Sequence, residues 1–396
     1  MAMTRQSGDL PASVNHYRRG VRGGHPCTFF MRDLHLPSLG GGESGCAFQC
    51  QPCRPTGSLE KPFMSLRRLA LLITGLTLST TALAAPTHYP LTVDNCGLPL
   101  TFAQAPHKTV TIGQAATEML YSLGLSSEVV GTSLWFNEVL PPYKDTNAKI
   151  ERLADNAPSF ESVIAKRPDF VPVQFEWMVG PQGAVGTREQ FHDLKIPTYI
   201  LPSDCEGKNN LVGADGTRLE AFRIDTLYKS IAQIAEIFDV QDRGQQLIAG
   251  YKDRLANAVE QARTHDSKPV SAVFWFSSPD LNTDPYVAGR KGIPNFMLDT
   301  LGMRNIIDSD EEWPTVGWET IAKANPTILV IARMDRRRFP ADDHEKKLAF
   351  LRSDPVTRNM DAVKNNRIVI MDASAMESSV RLFDGIEQLA KATQAQ

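Results

Sequence analysis

The sequence predicts an α/β protein: two Rossmann-like lobes joined by one long interdomain helix, with a cleft between the lobes. Three observations predict it. Short apolar runs alternate with helix-like stretches from Thr109 to Leu201, and the alternation restarts from Val270 to Ala392. Such an order indicates mostly parallel sheets with helices on their faces. Residues 219–263, between the two runs, show helical periodicity alone. Finally, Phe160-Glu161-Ser162-Val163-Ile164-Ala165-Lys166-Arg167-Pro168 recurs 158 positions later as Trp318-Glu319-Thr320-Ile321-Ala322-Lys323-Ala324-Asn325-Pro326. Each copy has an aromatic, a glutamate, an apolar stretch with one lysine, and a proline seven residues after the glutamate. A repeat at this spacing suggests two similar lobes. It would suit a protein presenting two matched acidic points to a two-fold symmetric partner.

The elements follow in order. Residues 85–108 are Pro-rich and irregular, with a short extended piece near Leu91 to Val93. Val110 to Ile112 reads as a strand, Ala115 to Leu123 as a helix stopped by Gly124, and Val129-Val130 as a second strand. The first repeat copy gives a helix near 160–167 and a strand at 169–173. Arg188 to Leu194 is a short helix and Thr198 to Leu201 a strand. From 219 to 263 the apolar residues Leu227, Ile231, Ile234, Ala235, Phe238, Leu247, Ile248, Tyr251, Leu255 and Val259 hold a helical period, broken only around Asp239 to Asp242. The second half of this stretch is placed to be a stiff strut. Then come a strand at Val270 to Phe276, helices at Pro294 to Leu301 and Trp318 to Ala324, strands at Ile328 to Ile331 and Ile368 to Met371, and a last helix at Leu382 to Ala392. Ligands of open α/β sheets sit outside the carboxyl ends of the strands, so two facing lobes leave the cleft between them as the default site.

The N-terminal part reads differently. Met64-Ser65-Leu66-Arg67-Arg68, the apolar run Leu69 to Leu78 and Ala82-Leu83-Ala84 have the layout of a secretory signal peptide cleaved after Ala84. The apolar run is too short to span a membrane. Arg67-Arg68 raises twin-arginine export, although its flanks fit that pattern poorly. Residues 1–63 are then expected to be a disordered upstream extension, rich in Gly, Pro and Arg. Their Cys46, Cys50 and Cys53 resemble a metal cluster, but the spacing matches no closed zinc motif. The expected divisions are 1–63, signal peptide 64–84, first lobe 85–240, helix 241–264 and second lobe 265–396. The chain carries −3, of which residues 1–63 contribute +3 and the signal +2, leaving −8 for the remainder. That balance argues against a nucleic-acid partner. Only Cys96 and Cys205 follow the signal. An oxidising compartment and an even count favour one disulfide; the alternative is two buried free thiols.

Several short segments resemble one known family. They are Ile112-Gly113-Gln114-Ala115-Ala116-Thr117-Glu118-Met119-Leu120 with Leu123-Gly124-Leu125 and Val129-Val130-Gly131, then Ile164-Ala165-Lys166-Arg167-Pro168-Asp169. Trp313-Pro314-Thr315-Val316-Gly317-Trp318-Glu319, Ala362 to Val369 and Asp384 to Ala390 complete the set. Together, from about Lys108 to Ala392, the chain resembles the periplasmic substrate-binding proteins of ABC importers for ferric siderophores, haem and cobalamin, the class with one rigid interdomain helix. The resemblance implies a monomer in the periplasm that captures a small-molecule metal chelate and delivers it to a permease dimer in the inner membrane. It implies binding without chemistry and without a resident cofactor. In the family, one glutamate per lobe meets permease arginines, and the matching positions are Glu161 and Glu319. Glu118 is the competing choice on the first lobe.

The resemblance also places cleft residues after the second strand and in the facing loops of the other lobe. Those positions hold Trp135, Phe136, Phe175, Glu176 and Trp177, then Tyr286, Arg290 and Trp313, with Arg381 before the last helix. Aromatic rings suit a flat or chelated ligand, and arginines suit the carboxylates of a siderophore or of haem. The competing reading is core packing for each aromatic and surface charge for Arg290 and Arg381. The histidines after the signal (His88, His107, His192, His265 and His344) are scattered, so a bare-metal site is not expected. The chain departs from better-known members in its Cys205-Glu206 loop and an insertion around Asn209 to Asp215. An exported hydrolase using the cleft is the alternative function, but no Gly-x-Ser-x-Gly elbow occurs. A sensory receptor of the same fold is a third.

Overall fold

Strands β1 (Leu91–Asn95) and β2 (Leu98–Phe102) form an antiparallel hairpin at the start of the described chain. Cys96 and Gly97 at its tip both have positive φ, 56° and 76°, as a two-residue turn matching the strand twist requires. This computed structural model describes residues 85–211, 216–263 and 270–394, which fall within one compact unit. The predicted upstream extension with its three cysteines and the predicted signal peptide lie outside the described residues.

The first lobe is built on β3 (Thr109–Ile112), α1 (Gln114–Ser122), β4 (Val129–Ser133), α2 (Lys144–Asn147), β5 (Arg152–Ala154), α3 (Phe160–Ile164), β6 (Val171–Val173), α4 (Arg188–Asp193) and β7 (Thr198–Ile200). Its five strands are all parallel, in the order β5-β4-β3-β6-β7. In chain sequence that is third, second, first, fourth, fifth, so the winding reverses between β3 and β6. Strands β3, β6 and β7 are buried throughout, as expected of a sheet covered on both faces. Helix α1 buries eight of its nine residues. It therefore lies inside the molecule instead of presenting a polar face to solvent. The turn into it needs Gly113: φ is 123°, and a Cβ there would come within 2.3 Å of the Gln174 Cβ.

Two short strands follow, β8 (Lys208–Asn209) and β9 (Thr217–Arg218), paired antiparallel. Helices α5 (Ile224–Ile237) and α6 (Gln241–Ala262) come next. Asp239, at φ 57°, makes the break between them where the sequence predicts one. At 22 residues, α6 is about 33 Å long.

The second lobe comprises β10 (Ser271–Ser277), β11 (Tyr286–Val287), α7 (Ile293–Thr300), β12 (Arg304–Asn305), α8 (Trp318–Ala324), β13 (Ile328–Arg333), α9 (His344–Ser353), α10 (Asp361–Lys364), β14 (Ile368–Asp372) and α11 (Leu382–Gln394). Its sheet runs β11-β10-β13-β14 with β12 also on β10, and only β11 is antiparallel. Helix α6 packs against both α5 and α11. On the α11 side Tyr251 stacks on Phe383 at 4.2 Å, and Arg254 binds both carboxylate oxygens of Glu387 at 2.7 and 2.9 Å. The long helix is thereby seated on elements before and after it, as a strut between sheets requires.

The repeat seen in the sequence extends to the backbone. Both copies form a helix, α3 and α8, leading into a buried strand, β6 and β13. Both copies pass through a left-handed residue just before the proline: Arg167 at φ 50°, three residues past α3, and Asn325 at φ 47°, which caps α8, again 158 positions apart.

Candidate ligand cleft

In each lobe the strand ends converge on one cavity of about 540 Å³. The first lobe contributes Leu134 and Phe136 after β4, Gln174, Phe175 and Trp177 after β6, and Ser203 and Asp204 after β7. The second contributes Phe276 and Ser277 from the end of β10, Arg336, Arg338 and Phe339 after β13, and Glu377 and Ser378 after β14. These are carboxyl ends of parallel strands, where open α/β sheets bind ligands. The volume lies in the range of pockets that enclose a drug-sized molecule.

An aromatic wall crosses from lobe to lobe. Phe136 meets Phe276 edge-on at 6.1 Å, and Phe276 meets Trp313 at 4.6 Å. Phe175 stacks on Trp177 at 6.1 Å, and Tyr286 completes the aromatic lining from β11. Five of the eight sequence-predicted ligand positions therefore line the cavity: Phe136, Phe175, Trp177, Tyr286 and Trp313.

The other three lie elsewhere. Trp135 is 2% exposed; its Nε1 donates to Thr132 Oγ1, and the Arg152 guanidinium covers its ring at 5.0 Å. Leu134, at φ 58°, turns the chain so that Phe136 lines the cavity and Trp135 returns to the core. Arg290 is exposed and held by Asp308 at 2.9 Å and Asp310 at 2.8 Å. Arg381 is buried. Its guanidinium grips Glu118 and also binds Asp372 at 2.7 Å. Burial works against that cation, but Glu118 and Asp372 hold it above its usual pKa. Glu118, fully buried beneath Arg381, cannot present itself to a partner.

The predicted docking glutamates have the opposite setting. Glu161 sits in the first turn of α3 and Glu319 in the first turn of α8. Both are exposed, and neither has an ion-pair partner among the described residues. Helices following parallel strands begin at the cleft end of the sheet, so each glutamate stands at the rim of its lobe.

Strands β8 and β9 flank the insertion expected around Asn209 to Asp215, of which residues 212–215 lie outside the described residues, and the two strands form a strap beside the cleft. At its root, Cys96 and Cys205 form the predicted disulfide. Strands β8 and β9 then reach the second lobe, where Arg218 N donates to Asp310 O at 3.1 Å and Glu312 N to Gly216 O at 3.2 Å. Gly289 permits the close approach of this region: a Cβ there would lie 1.9 Å from Glu311 O. Four charged side chains of the strap region line the cavity and satisfy one another. Lys208 pairs with Asp204 at 2.7 Å, and Arg218 with Glu312 at 2.7 Å, all nearly buried. Burial would lower the Lys208 pKa, but Asp204 and Glu312 raise it above the usual value.

The lobes are tied again between the β4 and β13 loops. Asp335 N and Arg336 N both donate to Phe136 O, at 2.9 and 3.0 Å, and Asn137 Nδ2 donates to Asp372 Oδ1 at 2.7 Å. Sequence reasoning missed Arg336, Arg338, Lys208 and Arg218. The triple arginine Arg336-Arg337-Arg338, three residues past a strand end, was the available signal. Lys208 and Arg218 flank the expected insertion and carried none.

The comparisons with known proteins agree with this architecture. An uncharacterised ABC transporter substrate-binding lipoprotein of Bacillus subtilis is 27% identical over 305 residues, 76% of this chain and 85% of its own length. A vitamin B12-binding protein of Pectobacterium atrosepticum is 22% identical over 232 residues, 57% of this chain and 71% of its own. Among solved structures, an ABC-type Fe3+-hydroxamate transport protein of Saccharomonospora viridis superposes with a TM-score of 0.62 at 24% identity, covering 77% of this chain and 99% of that one. The periplasmic binding protein family matches residues 110–375, two thirds of the sequence. With two mostly parallel sheets, a strut helix and a cavity at the strand ends, the chain belongs to the periplasmic binding protein family.

Proposed function

We propose that this protein is the solute-binding component of an ABC importer. It captures an iron chelate or a corrinoid in the interlobe cavity and delivers it to a permease dimer. The observation that carries this reading is the cavity itself: an aromatic wall shared by both lobes, with arginines beside it, at the carboxyl ends of both sheets. Large rings give extensive contact at small entropy cost and suit a chelate whose metal is already wrapped. The names of the relatives, a vitamin B12-binding protein and an ABC transporter substrate-binding lipoprotein, point to the same ligand class and partner. The site of action on this reading is the periplasm, and the protein works as a monomer.

Binding, not chemistry, is the role we assign to the cleft. No histidine lines the cavity among the described residues, and the Ser277 hydroxyl donates to the Asp342 carboxylate at 2.6 Å. Docking falls to Glu161 and Glu319, whose exposed carboxylates are free to take arginine forks from the two permease subunits. The test is genetic and biochemical together. Deleting the gene should abolish uptake of the chelate, and wild-type protein should restore it. The Glu161→Arg/Glu319→Arg double variant should fail to restore uptake while its purified form binds the chelate normally. Full uptake with the double variant would overturn the docking role, and uptake unaffected by the deletion would overturn the transport role.

A further inference from the structure

The strap has a different neighbour along each edge. On the β8 edge, Asn210 Nδ2 donates to Glu176 Oε2 of the first lobe at 2.6 Å, and Gln182 Nε2 donates to Asn210 O at 2.9 Å. The root on that side is fastened by the Cys96–Cys205 disulfide and by the Lys229–Glu206 ion pair at 2.6 Å. On the β9 edge the contact is with the second lobe: Arg218 N donates to Asp310 O, Glu312 N donates to Gly216 O, and Thr217 bridges Glu311 in antiparallel fashion. Two buried cations of the strap reinforce this seam. Lys208 binds Asp204 of the first lobe at 2.7 Å and reaches Glu312 of the second at 3.7 Å. Arg218 binds Glu312 at 2.7 Å and donates to Ser203 O at 3.0 Å. The strap thus neutralises one cavity carboxylate from each lobe. Apolar packing adds little to the hold: the large apolar side chains among the described strap residues are Leu211 and Leu219, 71% and 64% exposed.

Building on the proposed binding role of the cavity, we propose that the strap is a polar latch: the seam between β9 and Asp310–Glu312 opens locally to let ligand in and out while the lobes stay in place. Three observations carry it. The lobes are tied a second time where Phe136 O accepts Asp335 N and Arg336 N, so parting the lobes would break two ties, whereas opening the seam breaks one. The seam borders the cavity, since Lys208, Arg218, Glu312 and Trp313 all line it. And charges hold it shut. Burying an ion pair costs desolvation that largely offsets its Coulomb attraction, and on opening all four charges regain water. An apolar seam has no such return, because its opening exposes hydrocarbon. The closed strap is therefore favoured by a small margin, as an element that opens repeatedly requires. The disulfide fixes the first-lobe root, so release falls on the second-lobe edge.

Glu312→Gln tests the latch, because it strands Arg218 in the closed seam and leaves the open seam hydrated as before. In the ligand-free protein, amide hydrogen exchange across residues 216–218 and 310–312 should quicken at least about 10-fold. Exchange at Asp335 and Arg336, whose N–H groups bind Phe136 O, should keep the wild-type rate. Acrylamide, a small neutral quencher, should reach Trp177 and Trp313 more readily. The Arg218→Met/Glu312→Leu variant removes both charges, and its seam should exchange no faster than wild type. Circular dichroism confirms that both variants are folded. Haem, a neutral ferric trihydroxamate and cyanocobalamin serve as ligand probes. For whichever saturates the wild-type protein, association and dissociation should both quicken at least about 10-fold in Glu312→Gln, whereas a lost cavity contact speeds dissociation alone. Unaltered exchange and quenching in Glu312→Gln, equal acceleration at Asp335 and Arg336, a double variant as fast as Glu312→Gln, or faster dissociation alone each overturns the latch and leaves the transport reading standing. If no probe saturates the wild type while the seam responds as stated, the transport reading falls and the latch on the cavity stands.

Discussion

Arg381 and Arg336 show how much a residue's meaning depends on what shares its space. Both follow a strand end and both are largely shielded from water, yet one is clamped by Glu118 and Asp372 and the other donates to the neutral Asn156 side chain. Removing one member of a buried ion pair strands the other, at about 3–5 kcal/mol. Arg381→Met should therefore lower the unfolding free energy by that order in urea titrations, with chelate affinity affected only through folding. A stable Arg381→Met protein with lost affinity would return Arg381 to the binding site. Phe136→Ala should do the reverse, weakening chelate binding about 10-fold or more. The sequence distinguished aromatic candidates from the bulk of the chain but not Trp135 from Phe136. That choice rests on the left-handed turn at Leu134, and leucine carries no signal for positive φ. Nor could sequence reveal that Glu118, one turn into a family-like helix, lies beneath Arg381.

At the scale of elements, the central strands of both sheets and the long helices were legible because burial imposes clear periods on them, whereas the short strands β5, β11 and β12 were not. The apolar runs of β6 and β13, the α5 stripe through Leu227, Ile231 and Ile234, and the break before α6 all follow from such patterns. Helix α9 was not legible. Its inward residue is Lys347, fully buried with Nζ donating to Ala332 O at 2.9 Å and to the carbonyls of Trp275 and Phe276, so its apolar stripe is interrupted by a cation. The hairpin turn at Cys96-Gly97 was missed for a related reason, since cysteine is not a usual left-handed residue. The disulfide at that tip closes a loop of 109 residues. In the loop-entropy view such a closure contributes about 4–5 kcal/mol. Cys96→Ser/Cys205→Ser should accordingly shift the urea midpoint down, with a steeper slope because the denatured chain is no longer cross-linked. An unaltered midpoint would mean that the neighbouring Asn95 bonds to Ile200, at 2.7 and 2.8 Å, fix the hairpin alone.

For the whole molecule, two lobes joined by a 22-residue helix are also bolted by the strap and by the Phe136–Arg336 loop contacts. Large hinge closure would break both ties at once. Small-angle scattering should therefore show almost the same radius of gyration with and without ligand, and a contraction of several per cent would contradict the rigid arrangement. A transport role requires that the cleft hold a chelate and return it unchanged. Trp177 and Trp313 line the cavity, so their fluorescence reports its occupancy. The decisive measurement is a fluorescence titration of the purified protein with ferric chelates, haem and a corrinoid, followed by mass spectrometry of the recovered ligand. The expected result is saturable one-to-one quenching by one of these and recovery of the intact molecule. Absence of saturable binding by all of them, or recovery of a chemically altered ligand, would contradict a transport binding protein.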